Sequence, residues 1–138
     1  MALGQCFCGT VRFEVVGMPK WVAHCHCSMC RRAHAAGYVT WVGYPKTSMR
    51  LIDGTDNITT YRSSPPASRE FCRTCGSQLF FRHESYAEEV HIPRALIAGD
   101  VGMEPKAHIY FSDRVGWIPV HDDLRKKGGA TGLETLPS

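Results

Sequence analysis

No apolar run in this chain approaches the ~20 residues that a membrane-crossing helix needs, so no membrane span is expected. The chain also lacks a strong charge of one sign: sixteen Lys+Arg stand against thirteen Asp+Glu, a formal +3. Its basic residues are dispersed, and only Arg125, Lys126 and Lys127 form a run. Nucleic-acid binding calls for a basic stripe or patch, so no such partner is expected. No period of roughly 20–50 residues recurs, which sets aside solenoids and propellers. The charged, apolar and small-residue succession of a secretory signal is missing too, since MALGQCFCGTV meets two cysteines within eight residues. The expected protein is soluble and cytoplasmic.

What the chain has in excess is cysteine, seven in 138 residues. An odd count would leave one thiol outside a disulfide framework, and such frameworks belong to secreted chains. A domain of this length buries about two-thirds of its unfolded surface and builds a core without covalent staples. Reduced cysteines in such a chain point to metal binding or catalysis.

Short strands separated by turn residues dominate the rest. Thr10 to Val16 alternates apolar Val11, Phe13 and Val15 with Arg12 and Glu14, the two-residue period of a half-buried strand. Further strands are expected over 21–27, 37–44, 48–52, 58–62, 69–71, 78–82, 89–92 and 107–111. Asp53-Gly54, Ser64-Pro65-Pro66 and Cys75-Gly76 supply turn chemistry between them. Helix is expected only over Ser28 to Ala36, with a shorter turn over 94–98. Trp41, Tyr44, Tyr61, Phe71, Phe80, Phe81, Tyr110 and Trp117 lie in strand-like contexts and are read as core. The fold class is mainly β, a β-rich α+β arrangement of antiparallel sheets with one short helix. One domain over 1–121 is expected, followed by a mobile tail over 122–138.

The cysteines form three groups: Cys6-Phe7-Cys8, Cys25-His26-Cys27-Ser28-Met29-Cys30, and Cys72-Arg73-Thr74-Cys75. Closed structural zinc sites take four protein ligands, whereas catalytic sites supply three and leave a position open. Keeping each group whole puts Cys6, Cys8, Cys72 and Cys75 on one zinc and leaves Cys25, Cys27 and Cys30 for a second. Other partitions remain open, including a single four-ligand site with three incidental thiols. Iron–sulfur ligation ranks below zinc because the spacings fit neither ferredoxin pattern.

These motifs carry a family resemblance. Gly4-Gln5-Cys6-Phe7-Cys8-Gly9-Thr10-Val11, then Cys25-His26-Cys27-Ser28-Met29-Cys30-Arg31, then Phe71-Cys72-Arg73-Thr74-Cys75-Gly76-Ser77 resemble, in order, those of the glutathione-dependent formaldehyde-activating enzyme family, which includes centromere protein V. The stretch from Pro105 to Trp117 is similar to the family's closing strand. The resemblance implies coiled sheets of the Mss4-like type, two Zn²⁺ per chain divided as above, and carbon–sulfur lyase or S-(hydroxymethyl)glutathione synthase chemistry.

The leading expectation is therefore a zinc-dependent lyase acting on a thiol–aldehyde adduct, with glutathione or its aldehyde adduct as the implied small-molecule partner. Cys25, Cys27 and Cys30 would form the working site. The alternatives are a zinc-stabilised binding module without turnover and a thiol- or redox-responsive zinc protein. His24, His26, His34 and His108 are candidate proton-transfer partners, although an extended backbone would turn the His26 ring away from its neighbouring thiols. Arg31 is a candidate for pairing with a substrate carboxylate.

Overall fold

The computed structural model describes residues 1–137. In chain order its elements are β1 (Ala2–Gln5), β2 (Arg12–Val15), β3 (Trp21–Cys25), α1 (Ser28–His34), β4 (Val39–Pro45), β5 (Met49–Asp53), β6 (Ile58–Ser64), β7 (Ala67–Cys72), β8 (Gln78–His83), β9 (Glu89–Pro93), β10 (Ala107–Ile109), β11 (Arg125–Gly128) and β12 (Glu134–Thr135), with short 3₁₀ turns between several of them. The mainly β class and the short helix after the second cysteine group are as expected. The chain divides into two compact units, one of residues 1–21 and 42–103, the other of 22–41 and the chain from Glu104 on. β4 contributes residues to both.

In the first unit β1, β2 and β5 form an antiparallel sheet, and β9, β8, β7 and β6 a second antiparallel ladder. The alternation in β2 sorts its side chains. Phe13 and Val15 are buried, while Arg12 pairs across the strands with Asp53 at 3.2 Å and Glu14 with Arg50 at 2.6 Å. Such exposed pairs contribute little; burial does the work. Phe13 is fully buried and meets Phe80 edge-on at 5.2 Å between ring centroids. Its ring also fills the space where Gly4 has no Cβ, since a Cβ there would overlap it. Phe13→Ala should therefore cost about 3–5 kcal/mol, read as a fall in the urea midpoint with an unchanged slope.

In the second unit the strand order is β12-β11-β10-β3. The expected antiparallel pairing is corrected here: β10 runs parallel to both β3 and β11, with His108 opposite His24 and Ile109 opposite Cys25. No hairpin can join strands this far apart in sequence, so nothing local imposes the antiparallel sense. β10 stops at Ile109 rather than Phe111 because Tyr110 adopts a left-handed conformation, φ 54°. Of the tail expected over 122–138, Ser138 lies outside the described residues; the rest carries β11 and β12, and its Leu136 N–H donates to the Lys126 carbonyl at 3.0 Å. β1 was also absent from the expected strands. Tyr61 and Trp117, expected in the core, are instead 62% and 72% exposed, whereas Trp41, Tyr44 and Phe80 are buried as expected.

Candidate metal centres

Two hairpin loops of the first unit deliver two thiols each. Between β1 and β2, the Cys6 N–H donates to the Val11 carbonyl at 3.1 Å and the Gly9 N–H to the Cys6 carbonyl at 3.1 Å. Between β7 and β8, the Cys72 N–H donates to the Ser77 carbonyl at 2.9 Å and the Gly76 N–H to the Cys72 carbonyl at 2.8 Å. Gly9 and Gly76 sit at φ 79° and 77°, the left-handed conformation that lets each loop turn back beneath its thiols at no steric cost.

The two loops converge. The Sγ atoms of Cys6, Cys8, Cys72 and Cys75 all lie within 4.8 Å of one another. Cys6–Cys8 and Cys8–Cys72 separations are 3.7 and 3.8 Å. Four sulfurs placed tetrahedrally at the usual Zn–S length stand about 3.8 Å apart, so this donor set fits a tetrahedral thiophilic ion. N–H and O–H groups surround it. Val11 N–H and Asn57 Nδ2–H approach Cys6 and Cys72 Sγ at 3.4 and 3.3 Å, and the Thr10 and Ser77 hydroxyls stand 3.2 Å from the sulfurs of Cys8 and Cys75. The Ser77 hydroxyl draws the Cys75 thiol down to about 5 and the Thr10 hydroxyl lowers Cys8, while burial pushes Cys6 up to about 11. The exposed side of the cluster is therefore ready to lose protons to a cation.

The second unit gathers the remaining thiols from the end of β3 and the start of α1. Cys25 ends β3, Cys27 is the residue capping α1, and Cys30 faces inward from its first turn. Cys25 and Cys30 Sγ are 3.7 Å apart, and both are buried. The neighbouring Cys25 and Cys30 thiols pull Cys27 down to about 2, while sharing with Cys27 and then Cys30 pushes Cys25 strongly up. Of the three, Cys27 is the thiol whose surroundings favour losing its proton. Among the described residues, this trio does not close to the mutual 4.8 Å of the four-thiol cluster, so it is the looser of the two.

Three of the four candidate histidines, His24, His26 and His108, gather with one another. His24 and His26 rings both pack against His108 and Tyr38, at 4.9 to 5.1 Å between centroids for His24 and 5.0 Å for His26. They share one face of extended backbone, and Cys25 between them turns to the other. His24 Nδ1 is 2.8 Å from the Thr40 hydroxyl, and burial lowers its pKa. Burial, with His108 next, brings His26 down to about 4. His34 meets Trp41 edge-on at 5.1 Å. Arg31, weighed as a carboxylate partner, spends Nε on the His26 carbonyl and Nη2 on the Asp113 carbonyl, each at 3.2 Å. It braces the loop that carries the thiols.

Sequence reasoning missed Asp122, whose Oδ2 lies 2.8 Å from His108 Nε2 and whose pKa that contact holds down to about 2. Nothing in its surroundings, Val120-His121-Asp122-Asp123, signalled this. Asn57 and Ser77 were missed as well, although Ser77 follows the Cys72–Gly76 motif directly.

Comparison with known proteins bears on this arrangement. The family model described as glutathione-dependent formaldehyde-activating enzyme matches residues 1–113. A Halomonas elongata protein provisionally named as such an enzyme is 28% identical over 125 residues, covering 85% of this chain and 79% of its own length. An uncharacterized lyase of Schizosaccharomyces pombe is 24% identical over 111 residues, covering 80% of this chain and 79% of its own. A crystal structure of a Rhodobacter sphaeroides protein, solved as a structural-genomics target, superposes with TM-score 0.61 at 29% identity and covers 75% of this chain and 97% of its own. No helix of the described residues is long and apolar enough to cross a membrane.

Proposed function

Because the chain belongs to the glutathione-dependent formaldehyde-activating enzyme family, we propose that it is a zinc-dependent carbon–sulfur lyase acting on the adduct of a thiol and an aldehyde. Cys6, Cys8, Cys72 and Cys75 hold a structural zinc, and Cys25, Cys27 and Cys30 hold a second one with a position left for substrate. The observation that carries this reading is the 3.7 Å approach of Cys25 and Cys30 Sγ, the edge length of a tetrahedral sulfur site, beside Cys27, whose pKa those two thiols lower.

In the cleavage direction the substrate's C–S bond breaks, its electron pair stays on sulfur, the hydroxyl loses its proton, and thiolate and aldehyde separate; synthesis is the reverse. Zinc bound at the second site supplies Lewis acidity that stabilises a substrate thiolate. The chain's own contribution is to hold three sulfurs on one side of the His26 peptide and to keep the His24 and His26 imidazoles on the other.

Two measurements test this. Elemental analysis of the folded protein should return two zinc ions per chain; one per chain would reduce the trio to incidental thiols. With two bound, proton NMR of glutathione–formaldehyde mixtures should show exchange between free thiol and S-hydroxymethyl adduct accelerated by the protein. No acceleration with glutathione or simpler thiols would leave a zinc-stabilised binding module.

A further inference from the structure

His26, the residue between two of the three thiols, is held at both its backbone polar groups and at one ring nitrogen. Its N–H donates to the Ile109 carbonyl at 2.9 Å, its carbonyl accepts from Arg31 Nε at 3.2 Å, and its Nε2 stands 2.8 Å from His108 Nδ1. His108 Nε2 then reaches Asp122 Oδ2 at 2.8 Å. His26 and His108 are 2% and 1% exposed, so the chain runs from a half-exposed carboxylate into the interior. Asp122 is itself set by the Leu124 N–H, which donates to its Oδ1 at 3.1 Å. It lies beyond the residues matched by the family model.

The proton positions follow from the end of this chain. A carboxylate can only accept, so His108 Nε2 carries a hydrogen. In the neutral ring Nδ1 is then an acceptor, and the donor to it is Nε2–H of His26. That leaves Nδ1 of His26 without a hydrogen. This atom is buried and meets no partner, and an unpaired acceptor is tolerated in an interior more readily than an unpaired N–H. The hydrogen-bond pattern and the burial thus agree on one tautomer.

We propose that Asp122 is a positioning residue for the three-thiol site. Acting through His108, it fixes the ring of His26 and thereby the setting of the Cys25-His26-Cys27 peptide, which carries two of the three sulfurs. This role rests on reading Cys25, Cys27 and Cys30 as a metal site. It works from the face opposite the sulfurs, without touching metal or substrate, by limiting how far the two thiolates can part when the metal is exchanged.

The test compares the full-length protein with Asp122→Asn and Asp122→Glu, each loaded with cadmium-113 at both sites. Cadmium NMR separates a four-sulfur from a three-sulfur environment, and ring ¹⁵N NMR reports which imidazole nitrogen carries the proton. In the unsubstituted protein His26 should carry it on Nε2. Asn can donate as well as accept, so Asp122→Asn should mix or invert the two tautomers. It should also speed chelator-driven loss of cadmium from the three-sulfur site about tenfold, the lower end of what supporting partners of metal ligands supply. Loss from the four-sulfur site should not change, and Asp122→Glu should restore part of the retention. A His26 proton on Nδ1 in the unsubstituted protein, or equal cadmium loss from the three-sulfur site with Asn and Asp, overturns the proposal while leaving the metal site intact. An unsubstituted protein that binds only one cadmium overturns the metal reading and this role together.

Discussion

Cys72→Ser should leave no cooperatively folded protein. Cys72 is completely buried, accepts from Asn57 Nδ2 at 3.3 Å and lies 3.8 Å from Cys8 Sγ. Serine places its oxygen short of where the sulfur stood and ligates zinc poorly, so the proposed zinc would lose one of its four ligands. A structural zinc supplies roughly 10–16 kcal/mol of folding free energy, whereas a domain's whole stability is about 5–15 kcal/mol. The first figure is large enough to consume the second. Circular dichroism during thermal unfolding, together with the soluble yield, is the measurement. A Cys72→Ser protein that melts cooperatively near the parent temperature would show that packing around Phe13 and Phe80, rather than metal, holds the first unit.

Cys27→Ser should do the opposite: preserve the fold and abolish turnover. Cys27 is only half-buried and occupies the N-cap of α1 without a side-chain capping hydrogen bond. Serine is among the preferred N-cap residues, so the helix loses nothing and the thiolate is removed alone. Metal content should fall from two to one per chain. Acceleration of adduct exchange should fall at least about a thousandfold, because Lewis-acid stabilisation is worth several kcal/mol. Loss of fold in both variants would sink the division of labour between the two sites, and so would retained activity in Cys27→Ser with one metal bound.

Much of the site was legible because its parts are local. CxC and CxxC, each followed by glycine, describe hairpin loops whose geometry needs only a left-handed residue after the second thiol, and Gly9 and Gly76 adopt it. The turn of the His26 ring away from the neighbouring thiols follows from strand alternation. The strand over 10–16 was legible for the same reason: Phe13 and Val15 alternate with Arg12 and Glu14. Elements without such a pattern were not. β1, β11 and β12 are short or polar, and Arg125–Gly128 reads as a charge run rather than as a strand. The two compact units interleave along the chain, so no break in composition marks where one gives way to the other.

By itself, then, the sequence determined how the thiols group within each loop and which family the chain resembles, since each of these depends on neighbours a few positions apart. Only the tertiary structure decided that the loop at Cys6 meets the loop at Cys72, that Arg31 braces backbone carbonyls, and that Asp122 stands behind His108. Those contacts span tens of residues and arise from strand pairing, above all the parallel register of β10 against β3. No local preference encodes that register, because it is settled by the burial and hydrogen bonding of the whole sheet at once.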